Sequence, residues 1–405
     1  LRELLRERDF VAYFGGRQAG RFAYGIEGVA IGWQVFLLRH QVFDLGLVGL
    51  LLFLPQVLLA LPAGFIADRF DRRITCALSC FAEMSGMLVF VALTLSHAAS
   101  LAFYLAATAL IGSAHALGAP AERSLLASIV HSSHYMRAQA FASSIGQLIV
   151  IAGPATGGAL LVLGAPFAFG FAAFLYAVAA GCFLMLRPRP VEQADAPLLQ
   201  SAIEGVRFIF RKPVLLGAIS LDLFAVLFGG ATALLPVYAD SILHVGPAGL
   251  GILRSAPAVG AALVATALVR YPLERRIGPQ LYIAVAGFGI ATIVFGISRN
   301  FLLSLAALAA TGAFDVISVV IRSALVQLDT PDAMRGRVSA VENVFIGASN
   351  ELGAFESGTL AAFAGTEFAV VAGGLGTLLV IGLWTVFFPQ LRRFDRFTDP
   401  SAQQA

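Results

Sequence analysis

From Ala138 to Leu186 the chain runs for 49 residues without a charge. A helix needs about 20 residues to cross the hydrocarbon core of a bilayer, so this run is long enough for two. Gly164, Ala165 and Pro166 near its middle supply the turn chemistry of a helical hairpin. Shorter uncharged runs recur at Leu45–Ala67, Leu101–Ala121, Leu281–Ser298 and Phe368–Leu391. With 13% charged residues and a mean hydropathy of +0.85, the chain lacks the polar surface that a soluble globule of 405 residues needs. Reading the remaining stretches in the same way, with one internal charge allowed in several, predicts an all-α membrane protein of twelve transmembrane helices.

Arginine placement orients these helices. Of 27 Lys and Arg, 21 fall in the tails and in the connections on one side, while Arg39 and Arg299 fall in loops on the other. That bias predicts that the richer side, with both termini, is cytoplasmic. The first segment reads as a full-length span behind a basic tail, so no cleavable signal peptide is expected.

Several function classes are disfavoured. Cys76 and Cys80 share one predicted helix and Cys182 lies in another, which reads as buried, inert thiols. His131 and His134 share a loop without a nearby Cys or carboxylate, so no metal site is expected. Neither a phosphate-cradling glycine loop nor a nucleophile spaced with a base is present, and no basic, aromatic-interleaved surface points to nucleic acid. No cofactor is expected, and the chain does not read as an enzyme.

The polar connector 187–212 divides the chain. It separates an expected six-helix bundle at 1–186 from another at 213–391, followed by a tail at 392–405. Within the connector, "LLQSAIEGVRFIF" has apolar positions at helical spacing beside charged ones, which predicts an amphipathic helix on the cytoplasmic face. The halves echo one another at an offset near 200: "FDRRI" with "LERRI", "MRAQAFA" with "MRGRVSA", and "GPATGG" opposite "GAFESG". Such duplication predicts a substrate site between halves near the midplane.

Between the second and third spans lies "GFIADRFDRR". Its arginines serve orientation; Asp68 requires another reason, because a carboxylate at a helix end can accept charge-assisted hydrogen bonds from guanidinium groups or from a helix N-terminus. Here the sequence resembles the major facilitator superfamily, whose second-to-third loop has the pattern G-x-x-x-D-R/K-x-G-R/K-R/K. Gly64, Asp68, Arg69, Arg72 and Arg73 match it, and Asp71 replaces the second glycine. The second half carries Tyr271 where Asp68 would fall. The resemblance implies that these residues form a cytoplasmic gate, stabilising an outward-facing state. Gly153, Pro154, Gly157 and Gly158 resemble the glycine-proline helix-bend motif of exporting antiporters in that superfamily, with Ile149 where another glycine often stands; generic close packing is the alternative reading. The stretches 220–239, 330–341 and 347–358 resemble the branch that includes enterobactin (siderophore) exporters and drug-efflux proteins.

Charges at membrane depth are costly and by default face the protein interior. Asp222 lies about 13 Å into the seventh helix and is the first choice for a proton-carrying carboxylate, with a structural, hydrogen-bonded acid as the alternative. Arg17, Arg21 and Tyr24 share one face of the first helix. Arg17 can instead snorkel to cytoplasmic water; Arg21 is deeper, a candidate partner for a substrate anion, and Glu27 is deeper still. Asp315 and Glu351 are further cavity candidates. Arg322 reads as an interfacial anchor at a helix end or a partner of the gate. Glu83 receives no role, and His115 reads as a hydrogen-bonded packing residue, although it is the one group of the fourth helix that titrates near neutrality.

The expectation is a secondary exporter that moves a small amphipathic molecule, a siderophore or hydrophobic drug, across a bacterial inner membrane by alternating access with proton antiport. An importer or lipid-related carrier, and a non-transporting membrane sensor, remain alternatives. The expected partners are the lipid bilayer, a small-molecule substrate and protons, with a monomeric chain.

Overall fold

A computed structural model describes residues 6–97, 100–130, 132–187 and 198–397. The described chain is helical throughout, without strands. Its first part comprises α1 (Arg8–Arg39), α2 (Val42–Leu58), α3 (Ala60–Arg69), α4 (Arg72–Leu95), α5 (Leu101–Ile129), α6 (Ser132–Leu163) and α7 (Ala165–Leu184). After the connector come α8 (Leu198–Arg211), α9 (Pro213–Phe228), α10 (Leu235–Val237), α11 (Gly246–Arg270), α12 (Ile277–Ile297), α13 (Phe301–Asp329), α14 (Asp332–Ala364), α15 (Thr366–Phe387) and α16 (Pro389–Arg392). Among the described residues, nine stretches are long and apolar enough to cross a bilayer, and α2 is a shorter apolar helix. The long helices α1 and α14 carry charges along their length and complete the set.

Two compact units emerge, one formed by Leu1–Asp195 with Tyr238–Ser255, the other by Ala196–Val237 with Ala256–Ala405. The two repeat one packing scheme. In the first, α4 packs on α5 and α7, and α1 packs on α6 and α7; in the second, α12 packs on α13 and α15, and α9 packs on α14 and α15. The hairpin turns correspond as well. Gly164 (φ +126°) separates α6 from α7, and Gly365 (φ +95°) separates α14 from α15, conformations that an L side chain resists. Pro166 then occupies the first turn of α7, where its missing N–H costs nothing.

Two spans depart from the simple reading. The second is divided into α2 and α3 just after Pro55, at Leu59. The seventh breaks after α9: Gly229 and Gly230 lead into a 3-10 turn, Ala231–Leu234, and a wide π turn follows at Tyr238–Ile242. Adjacent glycines and such wide turns are recognised causes of helix interruption. The equivalent α1 runs unbroken.

Each unit has an apolar core. Phe10, Tyr13, Leu125, Leu126 and Phe183 fill the first, with Cys76 and Cys80 buried among them; Leu215, Leu221, Leu281, Ile321 and Leu325 fill the second. The connector helix α8 docks on α14, where Glu204 pairs with Arg337 and Gly205 lies against the Arg337 backbone. Prolines 188, 190 and 197 lie outside the described residues. The tail is anchored through residue 397: the Arg276, Ile277 and Gly278 amides at the start of α12 donate to the Asp395 carboxylate, the Asp395 carbonyl and the Phe394 carbonyl. These bonds satisfy donors that a helix start leaves without intrahelical partners.

Candidate functional site

A cavity of about 420 Å³ lies within the first unit, lined from α1, α4, α5, α6 and α7. On its wall α4 and α5 approach closely: Ser79 of α4 donates to the Ala114 carbonyl at 2.6 Å and leaves no room for a side chain at Gly118. Of the α1 candidates, Arg17, Arg21 and Tyr24 all line this cavity. Arg17 does not snorkel. Its Nε lies 3.1 Å from Glu122 Oε1 and its Nη1 donates to the Tyr13 hydroxyl at 2.9 Å. Arg21 turns toward α6, where its guanidinium occupies the space beside Gly146. Glu27 is buried and accepts a 2.6 Å hydrogen bond from the Tyr176 hydroxyl.

Glu83 and His115, which sequence reasoning left without a function, meet in this cavity. The His115 Nδ1 lies 3.4 Å from Glu83 Oε1, and the Tyr24 ring stacks on the imidazole at 5.0 Å. The two partners are 32 residues apart on different helices, so no local spacing announces the pair. Arg254 of α11 was likewise overlooked; its guanidinium lies over Gly28, one residue from Glu27, inside the same unit.

In the second unit the structure changes the reading of Arg322. Expected at an interface, it is 2% exposed and sits between two acids: Nη1 pairs with Asp222 Oδ2, and Nε donates to Glu342 Oε1 at 2.8 Å. Asp222 also accepts from the Ser318 hydroxyl at 3.0 Å. The helix-end reading failed because α13 continues for seven further residues, and because the α14 partner, Glu342, was not singled out. Asp315 lines a separate cavity of about 210 Å³ with Asn350, Thr232, Thr311 and Phe288. Glu351 is half-buried on α14 next to Asn350.

The loop expected to gate is ordered by local bonds. Asp71, standing where the family pattern has glycine, caps α4 by accepting from the Arg73 amide at 3.0 Å and its guanidinium at 2.8 Å. Arg73 also reaches the Leu186 carbonyl beyond α7 at 3.0 Å. Arg72 donates to the Ala67 carbonyl, and Arg69 lies over the Phe65 ring at 5.1 Å. Gly64 lies within α3, and the side chain of Asp68 lies outside the described residues.

The glycine-proline motif makes close contacts on two faces of α6. Side chains at Gly153 and Gly157 would press on α1, against Gly25 and Ile26, each about 3.0 Å from the backbone Cα. One at Gly158 would fall 2.7 Å from the Gly251 Cα within the same unit. Pro154 lies inside α6 between them.

The comparisons cover nearly the whole chain. The enterobactin exporter EntS of Escherichia coli O1:K1 / APEC is 27% identical over 402 residues, spanning 96% of this chain and 94% of its own length. Among solved structures, a bacterial homolog to the human lysosomal transporter Spinster aligns with a TM-score of 0.75 at 15% identity, over 96% of this chain and 99% of that one. The nucleoside transporter NupG aligns with a TM-score of 0.69 at 14% identity, over 94% of this chain and 98% of its own; both likenesses concern the fold. A model of the Major Facilitator Superfamily matches residues 21–354, and the chain belongs to that superfamily as a membrane transporter.

Proposed function

We propose that this transporter is a secondary active exporter of the bacterial inner membrane that moves a small amphipathic molecule by alternating access, driven by protons entering in exchange. The observation that carries the reading is the cavity of about 420 Å³ in the first unit, where arginines, carboxylates and aromatic rings together line one chamber. Such a lining suits a cargo with polar and aromatic parts. The direction is taken from the full-length likeness to an exporter.

The coupling acid assigned in the second unit is Asp222. Arg322 faces two carboxylates there, leaving an excess negative charge that burial in a membrane protein disfavours. A proton on Asp222 relieves that excess and loosens its hold on α13. Asp68 with Arg69, Arg72 and Arg73 forms the gate in this reading, and Asp68→Asn is expected to slow cycling more than equilibrium binding.

The test uses proteoliposomes of known orientation holding a pH-sensitive dye, challenged with enterobactin and with amphipathic drugs under an imposed gradient. Cargo-dependent proton flux that Asp222→Asn abolishes is the expected result. Cargo movement without proton flux would leave a uniporter or another coupling ion, and uptake against the proposed direction would make the chain an importer.

A further inference from the structure

Within the first-unit cavity, Glu83 and His115 are unequally placed. The Glu83 side chain is 7% exposed and the imidazole of His115 41% exposed, and both residues line the cavity. With 3.4 Å between Nδ1 and Oε1, the more exposed ring lies within reach of the more buried carboxylate. Tyr24 stacks on one face of that ring, with 22° between the planes.

The charges around the pair come from four helices. From α1, Arg17 is committed to Glu122, Arg21 lies beside Gly146, and Glu27 is within electrostatic reach of both Glu83 and His115. From α4, Cys76 and Cys80 line the same wall about two turns and one turn before Glu83. From α5, Glu122 and Arg123 lie two turns beyond His115. From α7, the Tyr176 hydroxyl is spent on Glu27. Glu83 pairs with the imidazole while Glu27 is held by Tyr176, and full ionisation of both acids beside a neutral ring would leave uncompensated charge in a poorly solvated interior. Histidine is the side chain whose ordinary titration falls near neutral pH.

We propose that Glu83 is a buried proton acceptor of the first unit, that His115 relays protons between it and the cavity, and that Tyr24 is a positioning residue holding the imidazole in line. The proposal rests on the proton-antiport reading and adds a second proton site to the one assigned at Asp222. Because the relay borders the cargo chamber, a ligand there would alter its access to protons.

A carbodiimide, which adds across a protonated carboxyl to leave an N-acylurea, probes this site without knowledge of the cargo. The purified full chain is treated with dicyclohexylcarbodiimide across a pH series, and Glu83 is read by peptide mass spectrometry, with Glu83→Gln marking the site. Wild-type labelling at Glu83 is expected to fall as pH rises. His115→Gln is expected to displace the midpoint by about one unit, the scale of a lost charged neighbour. Tyr24→Ala should displace it in part, and Tyr24→Phe, which keeps the stack, should restore the wild-type profile. Absent or pH-independent labelling at Glu83, or a profile unmoved by His115→Gln, would overturn the relay. An unmoved profile in Tyr24→Ala would remove Tyr24 from it. Proton flux in proteoliposomes separates the two readings: a pH-dependent Glu83 without flux keeps this site and sinks antiport, whereas wild-type coupled flux in Glu83→Gln keeps antiport and sinks the coupling role of this site.

Discussion

Arg322 links three helices of the second unit. It joins α9 through Asp222 and α14 through Glu342 from its own place on α13. Removing it strands two carboxylates in the interior, so Arg322→Met is expected to cost about 3–5 kcal/mol, seen as a large fall in the melting temperature of the detergent-solubilised protein. Glu342→Gln removes one of two acids facing one base and should cost far less; equal losses in the two variants would contradict this charge count. The sequence shows each of these charges but not their pairing. Asp222 and Arg322 are 100 positions apart, and nothing in the local pattern around His115 reveals that Glu83 reaches it. Depth along a helix is legible from counting residues; partnership across helices is not.

At the scale of the element, hydropathy located the spans and the uncharged run located the α6–α7 turn, which Gly164 makes. The break after α9 was hidden because glycine is common in continuous membrane helices, so Gly229 and Gly230 do not by themselves announce an interruption. The same ambiguity applied to "GPATGG", whose glycines the structure places against neighbouring backbones. Gly158→Ala would force α6 away from Gly251 and is expected to destabilise by about 1–3 kcal/mol. Gly382→Ala is the control. Its site on α15 has open space around an added Cβ, so helix propensity alone should raise stability by up to about 1 kcal/mol. Thermal unfolding in one detergent compares them, and a tolerated Gly158→Ala would mean that α6 yields readily at this contact.

At the scale of the whole molecule, the repeat legible in a few short echoes extends further than those echoes. Helices α5 and α13 begin at Leu101 and Phe301 and each contains 29 residues, and the pairs of packed helices match between units. The tail has no counterpart in the echoes. Ending the chain after Gln390 removes the carbonyls and carboxylate that receive the Arg276, Ile277 and Gly278 amides, a loss of about 1 kcal/mol for each of three bonds, together with the packing of Leu391. That truncation should lower the melting temperature; an unchanged value would show that the tail contacts contribute little. The bond from Arg276 to Asp395 spans 119 residues, which gives it a consequence during synthesis. Helix α12 must wait for the protein partners of its starting amides, with water in their place, while α13, α14 and α15 emerge, so the second unit reaches its finished form only once the ribosome has delivered Phe394 and Asp395.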